Sequence, residues 1–191
     1  MPVNRLAGLA IVLTATALLA GCAGVARTNN ATHFSYNTSM LDDIARRGGM
    51  PLVVAGEPYP DSPNQFARRA AEILTATHRG PVFPIYLEAP QPAQDNPWRT
   101  VMIVNPERGV SASNACSGKV SGTAVTDGRM TAVAALCLGE RAKTIVRSWA
   151  SDANGPGSSA VEQVLRQTAL ALYPVRDENT DLDSPGGDYD M

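Results

Sequence analysis

Apolar residues along this chain fall into short continuous runs and two amphipathic stripes, separated by polar segments rich in Pro, Gly and Asp. Residues 50–55 form an uninterrupted apolar run, the pattern of a strand buried on both faces. After the loop Gly56-Glu57-Pro58-Tyr59-Pro60-Asp61, the residues Phe66, Ala70, Ile73, Leu74 and Thr77 share one face of a helix. The spacing predicts Ser62 as its N-cap, Pro63 as its first helical residue and Gln65 as the closing member of a capping box. Gly80-Pro81 ends it.

A shorter helix precedes the first run. Ser39-Met40-Leu41-Asp42 resembles a capping box with Asp in the place of Glu or Gln. Leu41, Ile44 and Ala45 share a face, and Gly48-Gly49 stops the helix. Further strands are expected at 82–88 and 100–104, on either side of a Pro-rich loop at 89–98. Residues 120–126 and 130–138 flank Asp127-Gly128, which predicts a hairpin. A last strand is expected over 142–150. Ser159-Ala160-Val161-Glu162 then opens a helix whose Val161, Val164, Leu165, Thr168 and Leu172 line one face up to Pro174. This order of elements predicts an α+β fold: a mostly antiparallel sheet of about five to six strands, two main helices packed on it, and a short N-terminal helix. The strand–helix–strand unit at 50–88 is the place where parallel pairing is expected.

The first residues have a different character. Arg5 is the only charge in residues 1–5, and the fifteen residues 6–20 carry none. A spanning helix needs about 20 apolar residues, so this is the layout of an export signal rather than a permanent span. It closes on Leu19-Ala20-Gly21-Cys22, which resembles the lipobox of bacterial lipoprotein precursors: an aliphatic residue three before a cysteine, small residues between, then the cysteine. The resemblance implies that the Cys22 thiol is alkylated with diacylglycerol, that a peptidase removes residues 1–21, and that Cys22 becomes an acylated N-terminus. Several acyl chains, at ~0.8 kcal/mol per buried CH₂, make release negligible. The plainer alternative is an ordinary cleaved signal with a coincidental cysteine. In the family, Asp after the cysteine retains the protein in the inner membrane. Here that position is Ala23, which implies delivery to the outer membrane, facing the periplasm.

Residues 22–38 are polar and aperiodic and are expected to form a flexible tether. Residues 39–176 are expected to form a single domain, and 177–191 an acidic disordered tail. Without residues 1–21 the chain holds 15 basic and 18 acidic side chains, a balance that argues against general nucleic-acid binding. Six of the acids fall in 177–191, so the body at 22–176 is mildly basic.

With Cys22 set aside, Cys116 and Cys137 form an even pair, and outside the cytoplasm such a pair is normally a disulfide. The expected hairpin sets Cys137 opposite Gly118 and Cys116 one diagonal away. Such neighbours lie ~7–8 Å apart, slightly too far to bridge. Two remedies stand: a wider turn or a bulge before Gly118, or a loop that carries Cys116 across the sheet.

Catalytic patterns are not recognisable. His33 falls in the tether, and His78 falls at the end of the long helix, where it complements the dipole. G-x-S-x-G, S-x-x-K and H-E-x-x-H do not occur. Asp181-Leu182-Asp183-Ser184 begins like a calcium loop, but Pro185 occupies the fifth position. No catalytic residue, cofactor or metal ligand is assigned. The loop at 56–61 is the candidate ligand site, because it joins a buried strand to a helix N-terminus, a place where α/β units bind ligands. Glu57, Tyr59 and Asp61 are its candidate contacts, although the same residues suit a stiffened turn whose carboxylates complement the dipole. Tyr59, Trp98 and Trp149 serve either as anchors for a partner or as packing residues.

Three functions remain. One is a non-enzymatic, lipid-anchored binding or scaffold domain for another envelope component. The second is a small-ligand binding module, or a hydrolase, that uses the 56–61 loop. The third is a structural, stress-related envelope protein, for which the sequence offers no discriminating feature.

Overall fold

The computed structural model describes residues 26–29, 31–62, 64–87, 95–107 and 109–175. The sequence at 19–22, with Cys22, and the acidic tail at 177–191 lie outside the described residues. The fold is α+β, and its strands are β1 (Ala26–Thr28), β2 (Thr32–His33), β3 (Met50–Ala55), β4 (Ile85–Tyr86), β5 (Trp98–Val104), β6 (Met130–Leu138) and β7 (Arg141–Ala150). The helices are α1 (Ser39–Arg46), α2 (Gln65–Thr77), α3 (Ala112–Ala115) and α4 (Ser159–Leu172).

The strands form one sheet in the order β1-β7-β6-β5-β3-β4, with β2 also on β7. It is a mixed sheet, not the mostly antiparallel one expected. β3 is parallel to both of its neighbours, β4 and β5, whereas the β5–β6, β6–β7, β1–β7 and β2–β7 pairings are antiparallel. The chain leaves β3, crosses through α2 to β4 on one side, and then returns to pair β5 on the other side. A crossover connection enforces parallel pairing, and the second parallel neighbour has no local sequence signal. The strand expected over 82–88 reduces to Ile85–Tyr86, and α3 is a helix additional to the three expected.

The hairpin at Asp127-Gly128 does not form. Both edges of β6 are already occupied, by β5 through seven paired positions and by β7 through nine. Residues 120–125 instead bind across the ends of β3 and β5: the Gly122, Thr123 and Val125 amides donate to the carbonyls of Ala55, Val104 and Pro58 at 3.1, 3.0 and 2.8 Å. Asp127 still makes a turn, accepting the Arg129 amide at 3.1 Å. Gly122 is required where the loop crosses, since a Cβ there would stand 2.1 Å from the Val104 carbonyl oxygen.

Part of the expected tether belongs to the sheet. Ala26, Arg27 and Thr28 pair with Ala150, Trp149 and Ser148, and Thr32 and His33 pair with Ile145 and Thr144. The polarity of this segment is matched by polar partners. The Thr28 hydroxyl donates to Gln167 Oε1 at 3.1 Å and therefore accepts from Ser148 Oγ at 3.0 Å, which in turn accepts from the buried Thr168 hydroxyl at 2.8 Å. A satisfied hydroxyl chain joins β1, β7 and α4.

One face of the sheet carries the larger core. The stripes of α2 (Phe66, Ala70, Ile73, Leu74) and α4 (Val161, Val164, Leu165, Thr168, Leu172) are buried there, with Leu41 and Ile44 of α1. Tyr173, which follows α4, joins it to β5 through a 2.6 Å hydrogen bond with the buried Thr100 hydroxyl. Burial pushes the Tyr173 hydroxyl pKa well up. Trp98 is buried, and its indole N–H donates to Asp43 Oδ2 of α1 at 2.7 Å.

Capping differs from expectation in each main helix. Gln65 N–H bonds to the Ser62 carbonyl at 3.1 Å as part of a turn, and α2 starts behind a left-handed Asn64 with no side-chain cap. In α4 the cap is Ser158 rather than Ser159, with its Oγ accepting the Val161 amide at 3.4 Å.

The opposite face has a smaller core of Val101, Ile103, Val133, Ala135 and Ile145, covered by Val110, Ala115 and Cys116 of the 109–116 segment. Cys116 is bonded to Cys137 of β6 with a Cα–Cα separation of 5.8 Å. The segment carries Cys116 across the sheet, which is the second of the two geometries that close the gap. Arg99 donates to the Cys116 carbonyl at 2.5 Å, and Arg147 donates to the Val110 carbonyl, so two sheet arginines hold the same cover.

Candidate functional site

The loop at 56–61 leaves the carboxyl end of β3 and turns into α2. Together these elements wall a recess of about 490 Å³, within the usual range for small-ligand sites. Its floor is apolar, from Leu52 and Val54 on β3, Phe66 on α2, and Leu87. Polar groups at its walls come from Glu57, Ser62, Asn64 and Arg68. Of the three candidate contacts from sequence, Glu57 and Tyr59 line the recess, while Asp61 is exposed outside it.

Tyr59 has a structural duty. Its hydroxyl donates to the Ala153 carbonyl at 2.9 Å, and its ring packs on Phe66 with centroids 5.9 Å apart. Burial pushes its pKa up to about 12. Its hydroxyl is thereby engaged, although the residue lines the recess. Gly56 turns at φ +89°, and a Cβ there would meet the Gly122 carbonyl oxygen at 2.3 Å. The loop is therefore seated against the segment that crosses β3 and β5. Arg68 and Asn64 were not singled out by sequence. An apolar stripe marks only the buried face of a helix, whereas Arg68 stands on the exposed side of the first turn of α2 and Asn64 is the exposed residue before it.

The other candidate residues are distributed. His78 caps the end of α2, donates from Nε2 to the Phe83 carbonyl at 3.0 Å and stacks on the Phe83 ring at 4.0 Å. It is held by packing as well as by its place at the helix end. His33 sits on edge strand β2, 3.3 Å from Thr144 Oγ1. Trp98 belongs to the core, whereas Trp149 is 37% exposed on β7.

Asp43 is held below the ordinary carboxylate range by the Trp98 indole N–H first and by Arg47 second. The Arg69–Glu162 pair links α2 to α4 at the surface, and the hydrogen bond between them lowers the Glu162 pKa and raises that of Arg69. Among the described residues, no group of three or more His, Cys, Asp or Glu could hold a metal ion. No helix among them is long and apolar enough to cross a membrane.

No protein-family model matches the chain, and no curated relative matches it. Among solved structures it is similar to the PelC dodecamer from Paraburkholderia phytofirmans, at 14% identity and a TM-score of 0.43, over 81% of this chain and 99% of that chain. A point variant of the same dodecamer is similar at 14% identity and a TM-score of 0.42, over 81% of this chain and 100% of that one.

Proposed function

We propose that the chain is a lipid-anchored domain of the cell envelope, held through Cys22 in the outer membrane and facing the periplasm, where it binds another envelope component without catalysing a reaction. The observation that carries this reading is the placement of Leu19-Ala20-Gly21-Cys22 immediately before the folded unit. Three residues, 23–25, separate Cys22 from β1. A cut and acylation at Cys22 leaves the sheet intact and gives it a lipid at its edge. The Cys116–Cys137 bond is of the kind that persists in an oxidising compartment. In the test, Cys22→Ala is compared with the natural chain by fatty-acid labelling and by membrane fractionation. The variant is expected to lose the label and leave the membrane pellet. A label retained without Cys22 contradicts the reading.

A second reading is favoured by the recess at the end of β3: a module that binds a small ligand against Leu52, Val54 and Phe66, with Glu57 and Arg68 at the walls. Ala67 also lines this recess, so Ala67→Trp would fill it. A ligand of this site raises the unfolding temperature of the natural chain but not that of Ala67→Trp. Equal shifts in both chains contradict it.

A further inference from the structure

We propose that the end of the sheet carrying Arg27 and Trp149 rests on the anionic phospholipid surface that anchors the chain, with Trp149 at headgroup level. The proposal rests on the acylation of Cys22 inferred above. Trp149 stands on the sheet face opposite α2 and α4, because its neighbours Ser148 and Ala150 turn toward the main core and side chains alternate along a strand. Its direct cross-strand partners are Arg27 on β1 and Thr131 on β6, and all three are exposed. Paired residues share a face, so the three form one continuous row. A half-exposed tryptophan, with an apolar body and an N–H donor, suits the boundary between lipid and water.

Chain length decides what covers this row. Arg27 follows Cys22 by five residues, and five residues span at most about 17 Å. A diacylglyceryl thioether holds Cys22 at the headgroup boundary. Arg27 and its partner Trp149 are thereby confined to that distance from the bilayer, whatever path the intervening residues take. A domain of about 150 residues is roughly 40 Å across, so the anchor cannot present the far side of the molecule to the membrane. The adjoining row, Met130–Ala150–Ala26, lies at the same end of the sheet, nearer still to the anchor.

Within the row the charge is positive. Arg27 is its one ionised side chain, and Arg147 shares its face one step back along β7, while the acids of this end (Asp127, Asp152, Glu107, Glu57 and Asp61) lie in the turns and loops beyond the strands. Arg129 is paired with Asp127 at 3.8 Å, and Arg147 bonds the Val110 carbonyl. Among the described residues Arg27 has no carboxylate within ion-pair distance. A basic side chain next to an anionic leaflet gains from its surface potential.

The test uses the acylated chain, reconstituted in vesicles of phosphatidylethanolamine with about one-third phosphatidylglycerol. The chain has two tryptophans, and Trp98 is buried, so subtracting the emission of Trp149→Phe isolates Trp149. On the vesicles the Trp149 emission is expected to shift to the blue and lose iodide quenching relative to the Cys22→Ser chain in buffer. It should also gain quenching from brominated acyl chains, and Arg27→Glu should reverse part of both changes. An acylated chain whose Trp149 stays open to iodide overturns the docking and leaves the anchor standing. Equal shielding on uncharged phosphatidylcholine overturns the anionic surface as its partner. A Cys22 that carries no lipid overturns the docking and the anchor together.

Discussion

Replacing both Cys116 and Cys137 by Ala removes the cross-link between the 109–116 cover and β6. The cysteines are 21 positions apart, and loop-closure entropy for a ring of that length amounts to about 3 kcal/mol. Both residues are fully buried, so loss of the sulfur atoms adds to this cost rather than offsetting it. For a domain of this size about 3 kcal/mol corresponds to a fall of roughly 6–12 °C in Tm. The Cys22→Ser chain is the proper parent, since it carries no third thiol. Urea unfolding of parent and variant gives the difference, and amide exchange locates it. Exchange should accelerate in the 109–122 segment and along Val101, Ile103 and Val133 beneath it, and change little in α2 and α4. A difference below about 1 kcal/mol, within the range of ordinary substitutions, refutes the reasoning. So does labelling of both cysteines by a thiol reagent in the native parent.

Further expectations concern single contacts. Tyr59, with its pKa pushed to about 12, and Tyr173, also raised by burial, keep their protons in the folded state after the unfolded chain has lost them near pH 10. Their contribution is complete below pH 10 and is lost as the pH rises through the folded values, so stability in urea should fall steeply above pH 10, and less steeply in Tyr59→Phe. Asp43 behaves in the opposite sense: its lowered pKa stabilises the fold above the ordinary carboxylate range and stops doing so as the pH falls through the folded value. Asp43→Asn should cost about 1 kcal/mol at neutral pH, and its deficit in a thermal melt should vanish in acid. Gly122→Ala has no room for its methyl, 2.1 Å from the Val104 carbonyl oxygen, and is expected to lower stability by about 1–3 kcal/mol. An unchanged melt would show that the crossing loop is free to move aside.

The helical stripes and most strands were legible because burial imposes a period on the residues that provide it. Phe66, Ile73 and Leu74 on α2, and Val161, Leu165 and Leu172 on α4, announce their faces, and all are buried. What escaped was pairing decided at a distance. Asp127-Gly128 carries a strong local hairpin signal, yet β5 and β7 take both edges of β6, and the turn survives without its hairpin. β1 and β2 were hidden by their polarity, because Thr28 satisfies itself against Ser148 and Gln167 rather than through apolar contact. The same limit applies to the recess. Glu57 and Tyr59 follow from a loop between strand and helix, but Arg68 enters the wall only once α2 is folded back over β3.

The anchor at Cys22 underlies the proposed location, the orientation on the membrane and the separation of Cys22 from the disulfide pair. Mass spectrometry of the N-terminal peptide of chain extracted from membranes tests it most directly. A first residue at Cys22, bearing a diacylglyceryl thioether and an acylated amino group, is the expected result. An unmodified Cys22, or a peptide that continues through Gly21 into the residues before it, contradicts the anchor.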